Sequence, residues 1–290
     1  MKDFMISVLD IYNFFFEYKI SSYFAAILRI LYCGYFFFSF LYIFKYIILF
    51  SKPEGPYAPE FYDTSDLRQL SLFNYRCIIK SKLAQIIILS LFIISGITSI
   101  FGFLTNFSIF IFFLTYASLQ ARTYPLLCSD ADVYARVMLF SLSLIDCGSR
   151  YSIDYLLGLS SNLDIIDGWS LRIIQLTVIS SYFLSSTHKF KDKYWQEGLA
   201  LRNAVLSVAW GRRICKNIFS NLFIAKTLNY GTMCFQFLSS ILFFIKETRP
   251  FAILFAISLH LGMLAFLRIW FFAPTVILAL LSFCNQYFIR

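Results

Sequence analysis

A cluster of ionisable side chains follows directly on a long apolar run. In "SSTHKFKDKYWQEG", residues 185–198, His188 and Lys189 come first and Lys191 and Lys193 follow them. A lysine at the mouth of an apolar helix bundle loses hydration, and like charges nearby disfavour its ammonium form further. General-base chemistry near neutral pH needs the lysine pKa to fall from about 10.4 to about 8. Lys189 is therefore a candidate base, with His188 beside it.

The same residues also suit an anchor at the membrane surface. Lysines bind lipid phosphates, and Trp195 is of the type enriched at membrane–water boundaries. The carbonyl end of the preceding helix favours a cation, which opposes a lowered pKa. Base and lipid anchor are both open interpretations of Lys189 from its spacing alone.

The composition indicates a membrane protein. The 290 residues are 59% hydrophobic and only 14% charged, with a mean hydropathy of +0.71. A soluble chain has about 25% charged residues, so this one has too little polar surface for a water-soluble fold. Tyr and Phe, with 19 and 36 copies, suit helices with aromatic residues at both membrane interfaces.

The net charge of +9 does not indicate nucleic-acid binding. The basic residues flank apolar runs instead of forming one stripe, as positive-inside bias predicts. The seven cysteines are scattered, with no CxxC and no Cys/His cluster, so we expect neither a metal site nor a disulfide framework.

The apolar runs predict an all-α, polytopic membrane helical bundle of about eight spans, within a range of seven to nine, in a single domain over 1–290. An amphipathic interfacial helix is expected over 1–21, a surface loop over 51–76, and a basic loop or re-entrant segment over 188–226. The predicted spans are 23–44, 84–101, 104–121, 133–148, 170–187, 228–246 and two within 251–286, divided around Arg268 and Pro274.

Ionisable residues within predicted spans cost at least about 2.5 kcal/mol each near the bilayer centre, and four of them are the main cases. Arg136 and Asp146 lie near the ends of a short helix, so they can reach the interface or pair. Arg29 and His260 lie deeper. An imidazole facing lipid would leave a ring N–H unsatisfied, so we expect His260 to face the bundle.

Two stretches form an ordered pattern. The first, "SDADVYARVMLFSLSLIDCGSRYSID", ends in Ser152 and Asp154. The second, "GWSLRIIQLTVISSYFLSSTHKFKDKYWQEGLALRNAV", carries W-x-x-R-x-x-Q with Arg172, then a lysine, then W-x-x-G-x-A. This order resembles the HTTM family (horizontally transferred transmembrane domain), to which vitamin K-dependent γ-glutamyl carboxylase belongs. "AAILRI" and "LHLGMLAFLRIW" are similar to its Arg-bearing first span and late His-bearing helix, so the resemblance covers nearly the whole chain.

The resemblance implies roles for individual residues. Lys189 matches the carboxylase lysine that deprotonates reduced vitamin K. Trp195 and Gly198 would shape the site, together with Ala200. The remaining matches imply substrate binding by Arg29, Asp154, Arg172 and His260.

The chain also departs from the carboxylase. The place of that enzyme's catalytic histidine falls on Ala131, and Gln236 stands where many HTTM proteins have a glutamate. Its size invites comparison with small SdpB-like proteins, which are linked to maturation of secreted antimicrobial peptides.

We therefore expect an HTTM-type enzyme or maturation factor acting on a secreted peptide or a lipid-soluble substrate, with a reduced quinone such as vitamin K as the implied cofactor. The alternative is a non-catalytic membrane partner or a lipid-binding or transport subunit. Membrane lipids and a peptide or partner protein are the expected partners. The bacterial inner membrane is the expected location, with loops 51–82 and 188–226 on one side and both termini on the other.

Overall fold

The computed structural model describes residues 13, 16–51, 82–123, 129–212 and 216–288, and these are mostly helical. Two short strands, β1 (Lys19–Ser21) and β2 (Ile165–Asp167), pair antiparallel with Ile20 opposite Ile166. The helical prediction is confirmed for most of the described residues, and this small sheet is an addition to it. In chain order the helices are α1 (Ser22–Tyr42), α2 (Phe44–Ser51), α3 (Lys82–Phe101), α4 (Thr105–Thr123), α5 (Asp130–Ser143), α6 (Ile153–Leu156), α7 (Leu171–Lys191), α8 (Lys193–Gln196), α9 (Ala200–Leu206), α10 (Lys216–Ser220), α11 (Leu222–Leu242), α12 (Arg249–Phe266), α13 (Phe272–Leu280) and a 3-10 helix (Leu281–Tyr287).

A helix occurs at each of the eight predicted spans, with ends shifted by a few residues. Among the described residues, three helices are long and apolar enough to cross a membrane: α1, α3 and α12. Others are shorter or more polar, such as α5 with 14 residues. The membrane character of the fold rests on these three helices, and the count of eight spans stays a prediction.

The helix predicted over residues 1–21 does not extend to residue 21. Most of the expected interfacial helix 1–21 and loop 51–76 lies outside the described residues. Residues Lys19–Ser21 form β1 instead of helix, because its backbone is held on both sides. One side pairs with β2. On the other, the Asn285 side chain accepts from the Ser21 N–H at 3.3 Å and donates to the Lys19 carbonyl at 2.9 Å.

The structure divides into two compact units, the first formed by residues 1–173 with 284–290. Its core is aromatic: Phe37, Phe92 and Phe112 stack with centroids 5.2–6.4 Å apart. These rings come from α1, α3 and α4. Gly96 lets the helices approach, since a Cβ there would lie 2.4 Å from the Phe37 ring. The packing fixes the α3–α4 hairpin against α1.

The second unit, residues 174–283, contains most of α7 and the helices from α8 to α13. In its core Tyr182 and Phe283 flank Phe243, with centroids 5.9 and 4.8 Å away. The predicted loop or re-entrant segment 188–226 is largely helical, because α7 continues to Lys191 and α8, α9 and α10 follow. Among these short helices α8 is capped by the Asp192 carboxylate, which accepts from the Trp195 N–H at 3.1 Å.

Candidate functional site

Lys189 lies in the last turn of α7, just beyond the predicted span 170–187. Its side chain is half-buried, and Nζ donates a hydrogen bond to the Ser185 hydroxyl one turn earlier. Burial lowers the pKa of Lys189 to about 8, because the ammonium form loses hydration. In the described part of the chain no carboxylate forms an ion pair with Lys189, so no such pair opposes loss of the proton.

A polar stripe runs along one face of α7 toward Lys189. Gln175, Tyr182, Ser185 and Ser186 recur at helical spacing with the lysine. Apart from Ser185, which is half-buried, these stripe residues before the lysine are buried. The stripe therefore presents hydrogen-bonding groups to the interior of the second unit along an otherwise apolar helix.

Trp195 lies against Lys189 and is held in place by α11. The lysine Nζ is 5.0 Å from the indole centroid, a cation–π distance. The fully buried Asn229 side chain donates to the Trp195 carbonyl at 2.9 Å and accepts from the Leu201 N–H at 3.2 Å. One amide thus ties both α8 and α9 to α11, which fixes the turn that carries the indole.

Gly198 meets a backbone requirement in the same turn. Its φ is +76°, a region that disfavours side chains. A Cβ there would lie 2.8 Å from Lys226 Cγ and 3.1 Å from the Tyr230 ring. The Tyr230 hydroxyl donates to the Gln196 carbonyl at 2.9 Å. The glycine of the W-x-x-G pattern is therefore explained by the turn and by this close approach.

The two histidines have different surroundings. His188 is exposed and lies about 100° around α7 from Lys189. His260 is buried at 2% exposure, with Nε2 2.9 Å from the Tyr182 hydroxyl. Its Nδ1 is buried without a hydrogen-bond partner. His260 thus has the inward orientation that we expected, and its partner Tyr182 precedes Lys189 by about 10 Å of helix.

A groove of about 370 Å³ lies between α7 and α11 in the second unit. Most of its lining is apolar, including Phe183 and Ile241, with Ser180 and Ser240 as small polar members. Serine leaves the space that larger side chains would fill. The groove has the size and character of a site for part of an apolar chain.

Arg29 is fully buried in the first unit. Its guanidinium donates to the Cys147 carbonyl at 2.7 Å and to the Tyr151 carbonyl, while its Nε has no partner. Gly102, with φ +70°, makes room for it, since a Cβ there would lie 2.5 Å from Arg29 Nη1. Arg29, which lies within a predicted span, is therefore paired with backbone carbonyls and not with a carboxylate.

Asp154 caps the start of α4. It accepts from the N–H groups of Leu104 and Thr105 at 2.8 and 2.7 Å and from the Thr105 hydroxyl at 2.6 Å. Ser152 caps α6 by accepting from the Tyr155 N–H at 2.9 Å. Both members of the S-x-D pattern thus have a structural role, and substrate binding by Asp154 stays a prediction.

Arg172 lies in the first turn of α7, with its guanidinium 3.8 Å from the centroid of the Tyr18 ring. Lys189 lies in the last turn of the same helix, about 25 Å further along. The structure therefore brings Lys189, Trp195 and Gly198 together and leaves Arg172 at the other end of α7.

Sequence reasoning missed Tyr182, Ser185 and Asn229. The first two carried a signal, because they stand seven and four residues before Lys189 on one helix face. Asn229 carried none, since a lone asparagine in an apolar helix does not indicate which backbone groups it binds.

The three apolar helices of spanning length define this chain as a helical membrane protein. Its candidate site lies where α7 ends, because the polar stripe of that helix leads to the half-buried Lys189. The chain matches the HTTM domain family over residues 26–287 and belongs to it. The matched range includes parts of both units, so their division falls within one family domain. The chain matches no curated protein and no solved structure.

Proposed function

We propose that this HTTM protein is a membrane enzyme or maturation factor in which Lys189 removes a proton from its substrate. The substrate is a secreted peptide or a lipid-soluble, quinone-like molecule, and the membrane is the bacterial inner membrane. The observation that carries the proposal is the half-buried Lys189 amine, whose pKa burial lowers to about 8.

A pKa of about 8 makes the amine useful as a base. About 10% of it is neutral at pH 7, roughly 300-fold more than for a lysine of unperturbed pKa. The carbonyl end of α7 and the Trp195 ring both favour the ammonium form. Burial acts in the opposite direction and lowers the pKa of Lys189, because the half-buried ammonium loses hydration. Lys189 can therefore take up a proton near neutral pH and hold it beside the indole.

The groove between α7 and α11 supports a substrate with an apolar tail. It has space for part of such a chain, and its walls include Phe183 and Ile241. A molecule that enters from the bilayer would place its tail against these residues. Its polar head would then extend along α7 toward Lys189 in the last turn of that helix.

A reduced quinone such as vitamin K fits this combination of groove and base. When bound, it would supply a weakly acidic hydroxyl, and Lys189 would accept that proton. Peptide γ-carboxylation is not part of the proposal. Ala131, at the place of the carboxylase histidine, is a fully buried methyl-bearing residue in α5 and cannot exchange protons.

Amine modification tests the proposal on the full chain in zwitterionic nanodiscs. Cyanate reacts with neutral amines, so at about pH 7.5 Lys189, with its larger neutral fraction, should be carbamylated at least about tenfold faster than Lys191 or Lys193. Mass spectrometry of peptides reports each site. A reduced naphthoquinone with a short isoprenoid tail should slow the reaction at Lys189. Ser180→Phe, which fills the groove, should abolish this protection.

Ser258→Phe is the matched control, because Ser258 is exposed on α12 away from the groove-lining residues. It should leave the protection intact. If Lys189 reacts no faster than Lys191, it is not a base near neutral pH. If Lys189 reacts fast but the quinol does not protect it, the base hypothesis is retained and the quinone-like substrate is rejected.

A further inference from the structure

We infer that residues 151–159 lie in the hydrocarbon region of the bilayer as a re-entrant segment, with membrane lipid as the partner of their exposed surface. This segment connects α5 to β2 and contains α6. Its position and chemistry differ from those expected of a connection in water.

The outward side chains of the segment are large and apolar. Leu156 is 80% exposed, and Leu157 and Leu159 are about as open at 59% and 62%. Leaving each of these leucines in water forfeits about 1.5–3 kcal/mol relative to burial. A contiguous apolar surface of this kind marks contact with a membrane or a partner.

The charged side chain within the segment and the one that directly precedes it are turned inward. The one charged residue between 151 and 159 is Asp154, which is buried as the cap of α4. The preceding Arg150 is also buried, and it pairs at 2.7 Å with Asp164, an exposed residue beyond the end of the segment. The surface of residues 151–159 itself thus offers no exposed lysine or arginine for a headgroup and no exposed carboxylate for a basic peptide, which favours acyl chains as its partner.

The amide N–H groups in the second half of the segment have partners in the protein. Each amide N–H from residue 154 to residue 159 donates a hydrogen bond within the protein, to Gly102, Ser152, Ile153, Tyr155 or Asp154. Non-helical backbone is tolerated at membrane depth only where its polar groups are satisfied by protein. The N–H groups of residues 154–159 meet that condition.

The segment is attached within the depth of a candidate span. Arg29 lies two turns inside α1, about 10 Å from its start, and donates to the Tyr151 carbonyl. On the other side Asp154 binds the N–H of Leu104, which is itself half-exposed at the tip of the α3–α4 hairpin. The exposed leucines therefore adjoin α1 and the α3–α4 hairpin, and α1 and α3 are both long and apolar enough to cross a membrane.

A fluorescent coumarin amino acid, introduced by amber suppression at Leu156 of the full chain, tests the inference in phosphatidylcholine nanodiscs. Spin-labelled phosphatidylcholine should quench it within about twofold of the same probe at Leu254, an exposed position on α12. Iodide in the water should quench it weakly. The same probe at Glu247, which is exposed and charged, should show the reverse.

A probe at Leu159 provides a second reading if the first variant does not fold. Strong iodide quenching at both positions would place the segment in water and overturn the inference. Protection from both quenchers would show that protein covers the surface, and would overturn it equally. Neither result depends on Lys189, so this test and that of the proposed function can fail separately.

Discussion

At the residue scale, substitution of Lys189 distinguishes a general base from a lipid anchor. Lys189→Arg keeps the positive charge and the approximate length, but guanidinium stays protonated above about pH 12. If the lysine is a base, arginine should abolish maturation of a secreted peptide in cells as fully as Lys189→Ala. Expression and membrane insertion should be unchanged.

Lys191→Arg and Lys193→Arg are matched controls, because both side chains are exposed on the same segment. They should retain activity whether Lys189 acts as a base or as an anchor. Full activity of Lys189→Arg would exclude a lysine base and favour binding of lipid phosphate, which arginine performs at least as well.

The pH dependence of activity should follow the neutral amine. Because burial lowers the pKa of Lys189 to about 8, the base form increases with pH. Activity should therefore rise about tenfold per pH unit below 8 and become level above it. Activity measured in sealed membrane vesicles across this range checks the sign. A rate that falls through the same range would require a protonated group instead.

Gly198 makes a further residue-scale prediction. Gly198→Ala places a side chain at φ +76° and should cost about 1–2 kcal/mol of stability. It should also displace Tyr230, weakening the contact between Trp195 and Lys189. Thermal unfolding in detergent measures the first effect. Gly231→Ala is the control, since a Cβ there meets nothing within 4 Å, and it should be neutral or stabilising.

At the element scale, Asp154 connects the segment after α5 to the start of α4. Asp154→Asn should cost about 1–3 kcal/mol, because an amide cannot accept all three hydrogen bonds. Asp167→Asn, in an exposed pair with Lys19, should change stability by less than about 1 kcal/mol. Unfolding in detergent compares them. An Asp154→Asn protein of native stability but lower quinol binding would identify a substrate ligand instead of a cap.

The helices were predictable from sequence because apolar runs specify them, and all eight predicted positions contain one. The pairing of β1 with β2 was not, since Lys19–Ser21 carries no strand signal and its partner lies far along the chain. In the candidate site, Lys189 was predictable because it is a charged residue at the end of an apolar run. The Asn229 contacts depend on how α11 packs, which no local pattern encodes.

At the scale of the whole molecule, the two ends of the helical domain meet. Asn285 is buried and binds both Ser21 and Lys19, which directly precede α1. Phe288 also packs on Phe24, with centroids 4.9 Å apart. The first helix therefore begins where the last helix ends, and such a chain crosses the membrane an even number of times. This contact favours eight spans over seven or nine.

Reporter fusions can test this parity. Green fluorescent protein, which fluoresces in the cytoplasm, and alkaline phosphatase, which is active outside it, should give the same location at the N-terminus and after residue 290. Positive-inside bias of segment 188–226 makes that location the outside. A fusion after Arg268, between α12 and α13, has one crossing fewer and should report the opposite side. Opposite locations for the two termini would mean an odd number of spans, and would require one of the eight helices to lie within or beside the bilayer without crossing it.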